Sequence, residues 1–60
     1  MSNFTLDINL DNDAYYPTFE QELSRQLRLV ADKIEQGAGY VVIFDVNGNN
    51  VGEAEVILDD

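Results

Sequence analysis

The chain has no cysteine, no histidine and no tryptophan, a single proline, and only three basic residues among sixty. Each absence excludes something. Without cysteine there are no disulfides and no thiolate metal sites, so the usual staples of a very small domain are missing. Without histidine or cysteine, the commonest general base and the strongest neutral-pH nucleophile are gone. Ser2 lies near the terminus and Ser24 lies inside a helical pattern, and neither has an evident base. No run of apolar residues approaches the eighteen or so of a membrane span. Met1-Ser2-Asn3-Phe4 also lacks the basic and apolar regions of a signal peptide, so a cytoplasmic location is expected. The three bases share one helix with four acids, which leaves no basic patch for phosphate and no attraction to an anionic membrane.

What is present is acid. Twelve Asp and Glu residues give a formal charge of -9. Over residues 17–36, Glu20, Glu22, Asp32 and Glu35 nearly balance Arg25, Arg28 and Lys33. Outside that segment, Asp7, Asp11, Asp13, Asp45, Glu53, Glu55, Asp59 and Asp60 face no base at all. The hydrophobic fraction of 45% belongs to a globular domain rather than to a disordered acidic tail. One domain over residues 1–60 is expected, burying only about 60% of its unfolded surface.

Phe4-Thr5-Leu6-Asp7-Ile8-Asn9-Leu10 alternates with a period of two and reads as a half-buried strand. Asp11-Asn12-Asp13 ends it. Pro17 suits a helix entry, and Thr18 with Gln21 has capping-box spacing. Phe19, Leu23, Leu27, Val30 and Ile34 then form one helical stripe flanked by Ala31, with Leu29 off it, and Gly37 is a natural stop. Tyr40-Val41-Val42-Ile43-Phe44 is a second strand. Asn47-Gly48 is a hairpin signal, and Val51 to Leu58 returns as a third strand. The expected fold is α+β: β-α-β-β, a three-stranded antiparallel sheet of order 2-3-1 with one amphipathic helix packed on one face.

Register decides where the acids point. A two- or four-residue loop places Val41, Ile43, Ala54, Val56 and Leu58 beneath the helix. Tyr40, Val42, Phe44, Val51, Glu53 and Glu55 then lie on the open face. A three-residue loop turns Tyr40, Val42 and Phe44 inward instead, because a one-residue slip flips a strand. Glu53 and Glu55 point outward in both cases, beside Thr5, Asp7 and Asn9.

Asp45, Asn47 and Asn49 match the first ligand positions of a calcium loop. Asn50 and Val56 then stand where glycine and glutamate are required, so no metal is expected and the segment reads as a turn. No cofactor is implied. Acids on an open sheet are solvated rather than tuned for proton transfer, so the chain is not expected to be an enzyme. Same-face carboxylates about 6.6 Å apart along a strand resemble the closely spaced charges of nucleic acid. Asp7, Asp11, Asp13, Asp45, Glu53 and Glu55 are therefore the candidate partner-binding residues. Their expected target is a basic DNA-binding protein surface rather than nucleic acid itself. Tyr15, Tyr16, Tyr40 and Phe44 are candidate aromatic anchors or, alternatively, packing residues.

Phe4-Thr5-Leu6-Asp7-Ile8, Asp11-Asn12-Asp13-Ala14-Tyr15, Leu27 to Gly37, and Asp45-Val46-Asn47-Gly48-Asn49-Asn50-Val51-Gly52 together resemble small acidic proteins encoded by bacteriophages and prophages. Size, acidity and element order also resemble some anti-CRISPR proteins, among them type I inhibitors that mimic double-stranded DNA. The resemblance implies a chain that occupies the DNA-binding surface of a Cascade subunit, where the protospacer-adjacent motif is read, in a bacterial host. A monomer is favoured over a homodimer. The alternative is a small phage or prophage regulatory or assembly module, including an acidic antitoxin, acting by protein–protein contact or by pairing along the exposed edge of the second strand.

Overall fold

In the computed structural model, which describes residues 1–59, the elements are β1 (Asn3–Ile8), a 3-10 turn (Asp13–Tyr15), α1 (Phe19–Glu35), β2 (Tyr40–Phe44) and β3 (Asn50–Ile57). β3 lies between β1 and β2 and is antiparallel to both. The expected β-α-β-β order and strand order 2-3-1 are both present. Asp60 lies outside the described residues.

The hairpin reaches its register by two offsetting irregularities. Asp45 donates its N–H to the Asn49 carbonyl at 2.9 Å, and its own carbonyl accepts from Gly48 N–H at 3.0 Å. The loop between this pair is therefore three residues long, and Gly48, at φ 86°, is the one turn residue in the left-handed region. Asn47 does not share it. By itself such a loop turns Tyr40, Val42 and Phe44 inward. A bulge prevents this: Phe44 pairs with Asn50, but Ile43 pairs with Gly52. Val51 is the extra residue of β3. Below the bulge, Val41 stands opposite Ala54 and shares the helix-facing side with Ile43 and Val56. Tyr40 and Val42 share the open side with Glu55 and Glu53. Val51 itself turns into the core, a correction to its expected place beside the two glutamates.

Gly52 stands opposite Ile8 of β1. A Cβ there would stand 2.0 Å from the Asp7 carbonyl oxygen and 2.9 Å from Ile8 Cα. The requirement is for space, not for an unusual φ.

α1 ends in a Schellman arrangement. Gly37, at φ 99°, donates to the Ile34 carbonyl at 2.9 Å, and Ala38 donates to the Lys33 carbonyl at 3.0 Å. At the other end Thr18 is the N-cap residue but its side chain makes no capping bond, so the expected capping box is not formed.

The helix is also rolled relative to its apolar stripe. Its buried residues are Glu22, Gln26 and Val30. Leu23 and Ile34 are half-buried, and Phe19 and Leu27 are exposed. The physical reason is a set of polar partners that only this roll supplies. Gln26, 1% exposed, accepts from the Tyr15 hydroxyl at 2.9 Å and donates to Glu22 Oε2 at 3.2 Å and to the Phe44 carbonyl at 3.4 Å. Glu22 takes two bonds from Arg25, at 3.0 and 2.7 Å, and one from Val46 N–H at 2.8 Å. Among the described residues no buried side-chain nitrogen or oxygen lacks a partner. The Arg25 bonds, opposed by burial and aided by the Arg25 charge and the Val46 N–H, hold the Glu22 carboxyl below its ordinary value of 4.5.

The apolar core is small: Tyr15, Val30, Val41, Ile43, Val51 and Ala54, with Ile8, Ile34 and Ala38 packed against it. Leu58, expected inside, is 75% exposed beyond the end of β3. α1 lies along β2 and the 3-10 turn, so Phe4 and Leu6 of β1 face the helix side yet stay partly open.

Two outcomes follow from this packing. Gly52→Ala forces β1 away from β3, and chemical denaturation is expected to show a loss of at least about 2 kcal/mol. Glu22→Gln keeps the shape but removes the charge, at a cost of about 1–3 kcal/mol at pH 7. Because the folded pKa of Glu22 is lowered, its contribution is whole above about pH 4.5 and disappears as pH falls through the folded value. Denaturation midpoints measured from pH 7 downward should therefore converge for wild type and variant.

Candidate partner-binding surface

The face of the sheet away from α1 is uncovered. Its centre is β3, where Glu53 and Glu55 alternate with the inward Ala54 and Val56. Asp7 stands directly opposite Glu53, and Thr5 opposite Glu55. The bond from Asn9 N–H to the Val51 carbonyl, 2.7 Å, makes Asn9 and Val51 a hydrogen-bonded pair. By alternation Asp7 and Glu53 form the next such pair, with Cα atoms about 5.5 Å apart. Like charges directly opposite each other on one face destabilise a sheet. No lysine or arginine offsets them, because Arg25, Arg28 and Lys33 all belong to α1.

The remaining candidates divide. Asp11 and Asp13 are exposed in the segment that leaves β1. Asp11 N–H donates to Asn9 Oδ1 at 2.8 Å, and Asn12 Oδ1 caps the 3-10 turn by accepting from Ala14 N–H at 3.0 Å. Both aspartates follow β1 in sequence, and Asp13 opens the 3-10 turn that packs against α1.

Asp45 does not belong to the surface. It is 4% exposed and its oxygens are used inside the turn. Oδ1 accepts from Asn47 N–H at 2.9 Å and Asn49 N–H at 2.8 Å, and Oδ2 accepts from Asn49 Nδ2 at 3.1 Å. Burial alone would raise its pKa, but the donors from Asn49, Asn47 and Gly48 outweigh it and hold the carboxyl below its ordinary value. Asp45 is thus a hairpin brace, not a contact residue. The Asp-Val-Asn-Gly-Asn spacing that suggested a calcium loop serves the turn. Among the described residues no group of three or more acids is placed to hold a metal ion.

The aromatic candidates divide as well. Tyr15 is core, and its hydroxyl is bound to Gln26. Tyr16 is exposed beside Pro17. Tyr40 and Phe44 lie on the open face, 53% and 51% exposed. The Tyr40 hydroxyl donates to Glu53 Oε2 at 2.5 Å. That bond, with burial and the charges of Glu53 and Glu55 adding to it, raises the Tyr40 phenol above its ordinary value. The open face is therefore two-toned. Carboxylates lie on β1 and β3, and Tyr40, Val42 and Phe44 lie along β2.

Residues missed in the sequence were the polar ones that position this surface: Glu22, Gln26 and Arg25. The available signal was their spacing, since Glu22, Gln26 and Val30 recur every four residues on one helical line.

No protein-family model, no curated protein and no solved structure matches the chain. Among the described residues no helix is long and apolar enough to cross a membrane.

The Asp7–Glu53 pair carries a measurable consequence. Asp7→Thr replaces a charge with a good strand former, and should stabilise the chain by about 0.5–1 kcal/mol at low ionic strength. Thermal melts should show the gain shrinking as salt screens the wild-type repulsion.

Proposed function

We propose that the chain is a protein-binding inhibitor that places its acidic sheet face in the basic, nucleic-acid-binding groove of a partner. The observation that carries this reading is Asp7 held directly opposite Glu53, with Glu55 next along β3, on a face with no cover and no base. A small domain without staples has little stability to spare, so a like-charge pair at the centre of its sheet is explained by use. Asp11 and Asp13 add exposed charge past the end of β1, and Tyr40, tied to Glu53, gives the strip an aromatic flank. Complementary fields would speed encounter with a lysine- and arginine-lined groove and exclude duplex DNA from it. The particular target we propose is the DNA-binding surface of a CRISPR–Cas Cascade subunit, which makes the chain an anti-CRISPR DNA mimic. This rests on the charge pattern together with the resemblance noted in the sequence.

The test is capture of Cascade subunits by the immobilised chain, with duplex DNA as competitor. DNA is expected to displace the subunit. Glu53→Lys with Glu55→Lys is expected to weaken binding by roughly a hundredfold, and affinity should fall steeply with added salt. Binding that ignores both DNA and charge reversal would sink the mimic mechanism. Indifference of every Cascade subunit, with capture of another basic DNA-binding protein that DNA displaces, would keep the mechanism and replace the target.

A further inference from the structure

The two edges of the sheet are built differently. β1 presents Asn3, Thr5 and Asp7 on the open face. β2 is Tyr40-Val41-Val42-Ile43-Phe44, with no charge and no proline, and the bulge residue of the hairpin, Val51, belongs to β3. Charges, prolines and bulges are among the devices by which edge strands avoid pairing, and β2 has none of these three; α1 side chains meet its edge at the Phe44 carbonyl.

Its free backbone groups can be assigned. Val56 N–H donates to the Gly39 carbonyl at 2.9 Å, so Gly39 and Val56 form a hydrogen-bonded pair. By alternation Val41 and Ile43 bond to β3, while the N–H and C=O groups of Tyr40, Val42 and Phe44 point away from the sheet. The Phe44 carbonyl agrees with this direction, since it is met by Gln26 Nε2 and, at 3.5 Å, by Arg25 Nη2 from the helix. Beside this edge, α1 and β2 enclose a groove of about 170 Å³ whose helix wall includes Leu29 and Lys33. Leu29 is 46% exposed.

We propose that β2 pairs with β2 of a second copy, antiparallel and centred on Val42, so that two three-stranded sheets become one. Two observations select a second copy as the occupant. First, the strand is self-complementary about Val42. A two-fold axis there sets Tyr40 opposite Phe44 of the other chain, an aromatic pair at each end, and gives the outward backbone groups of Val42 partners, while the Tyr40 N–H shares the Phe44 carbonyl that Gln26 already meets. Second, each copy carries a charge of -9, and the β2 edge is where two copies meet with least repulsion. It has no acid of its own, Asp45 is buried, and the adjoining helix edge presents Lys33 beside an Arg25 already paired with Glu22. The pairing does not depend on the mimic reading. If both hold, the two acidic faces lie side by side on one continuous sheet.

Sedimentation equilibrium of the full chain, from micromolar to millimolar, is expected to show the mass rising from 6.8 kDa toward twice that value. Added salt should strengthen the dimer by screening repulsion, whereas it should weaken capture of a basic partner, so the two readings fail separately. Val42→Lys is accommodated in the monomer, opposite Glu53, but sets two lysines face to face in the dimer. Dissociation should become at least roughly tenfold easier, with the circular-dichroism spectrum unchanged. Val42→Cys introduces the chain's one thiol, about 5.5 Å Cα to Cα from its twin, within disulfide reach. Mild oxidation should cross-link it much faster than Thr5→Cys on the other edge. A wild-type chain that stays at monomer mass at millimolar concentration and high salt would overturn the proposal. So would equal cross-linking of the two cysteine variants, or protection of Val42 only by a foreign extended peptide.

Discussion

The arrangement of this chain depends on one buried carboxylate. Glu22 gathers Arg25, Gln26 and the Val46 N–H, and through Gln26 it reaches the Tyr15 hydroxyl and the Phe44 carbonyl. These bonds join four separate pieces: the 3-10 turn, the helix, the end of β2 and the hairpin loop. A small apolar core grips without direction, so several rolls of a helix on a sheet can bury similar area. Polar groups taken out of water admit only arrangements in which each has a partner. The network therefore selects the roll, and the roll decides which apolar side chains are left outside.

That selection has consequences for the surface. With Glu22, Gln26 and Val30 against the sheet, the helix lies along β2 and the 3-10 turn, and its bases stay on the helix side. The opposite face of the sheet keeps Asp7, Glu53 and Glu55 uncompensated, with Tyr40 leaning onto Glu53. Charge segregation here results from topology. A single helix covers one face, all three bases are on that helix, and the uncovered face holds only acids and neutral residues. Partner capture through the acidic face and self-pairing through β2 would meet at Tyr40, which borders both, but would otherwise draw on a face and an edge that differ in charge and backbone availability.

Much of the fold was legible because it rests on local periodicity. The alternation of Phe4, Leu6 and Ile8, the apolar run of β2, and Gly37 as a stop are short-range patterns, and each element appears where its pattern lies. Outward Glu53 and Glu55 were legible for the same reason. Two features were not. The hairpin has a three-residue loop, which by parity reverses β2, and a bulge at Val51, which reverses it back. The facing that an even loop predicts for β2 is the one present, although the loop has three residues. The helix stripe of Phe19, Leu23 and Leu27 is real in sequence, but it is not the line buried deepest. Tertiary partners for Glu22 and Gln26 outweighed the apolar pattern.

The sequence by itself determined the three strands and the helix, their order, the net charge and the confinement of every base to one helix. These depend on neighbouring residues and on composition alone. Only the tertiary structure decided that Asp45 braces a turn, that Tyr15 is core while Tyr40 and Phe44 are surface, and that Asp7 confronts Glu53 across two strands. Each of these depends on which distant backbone groups come within hydrogen-bonding reach. That is settled by register, bulge and helix roll, which no local pattern encodes.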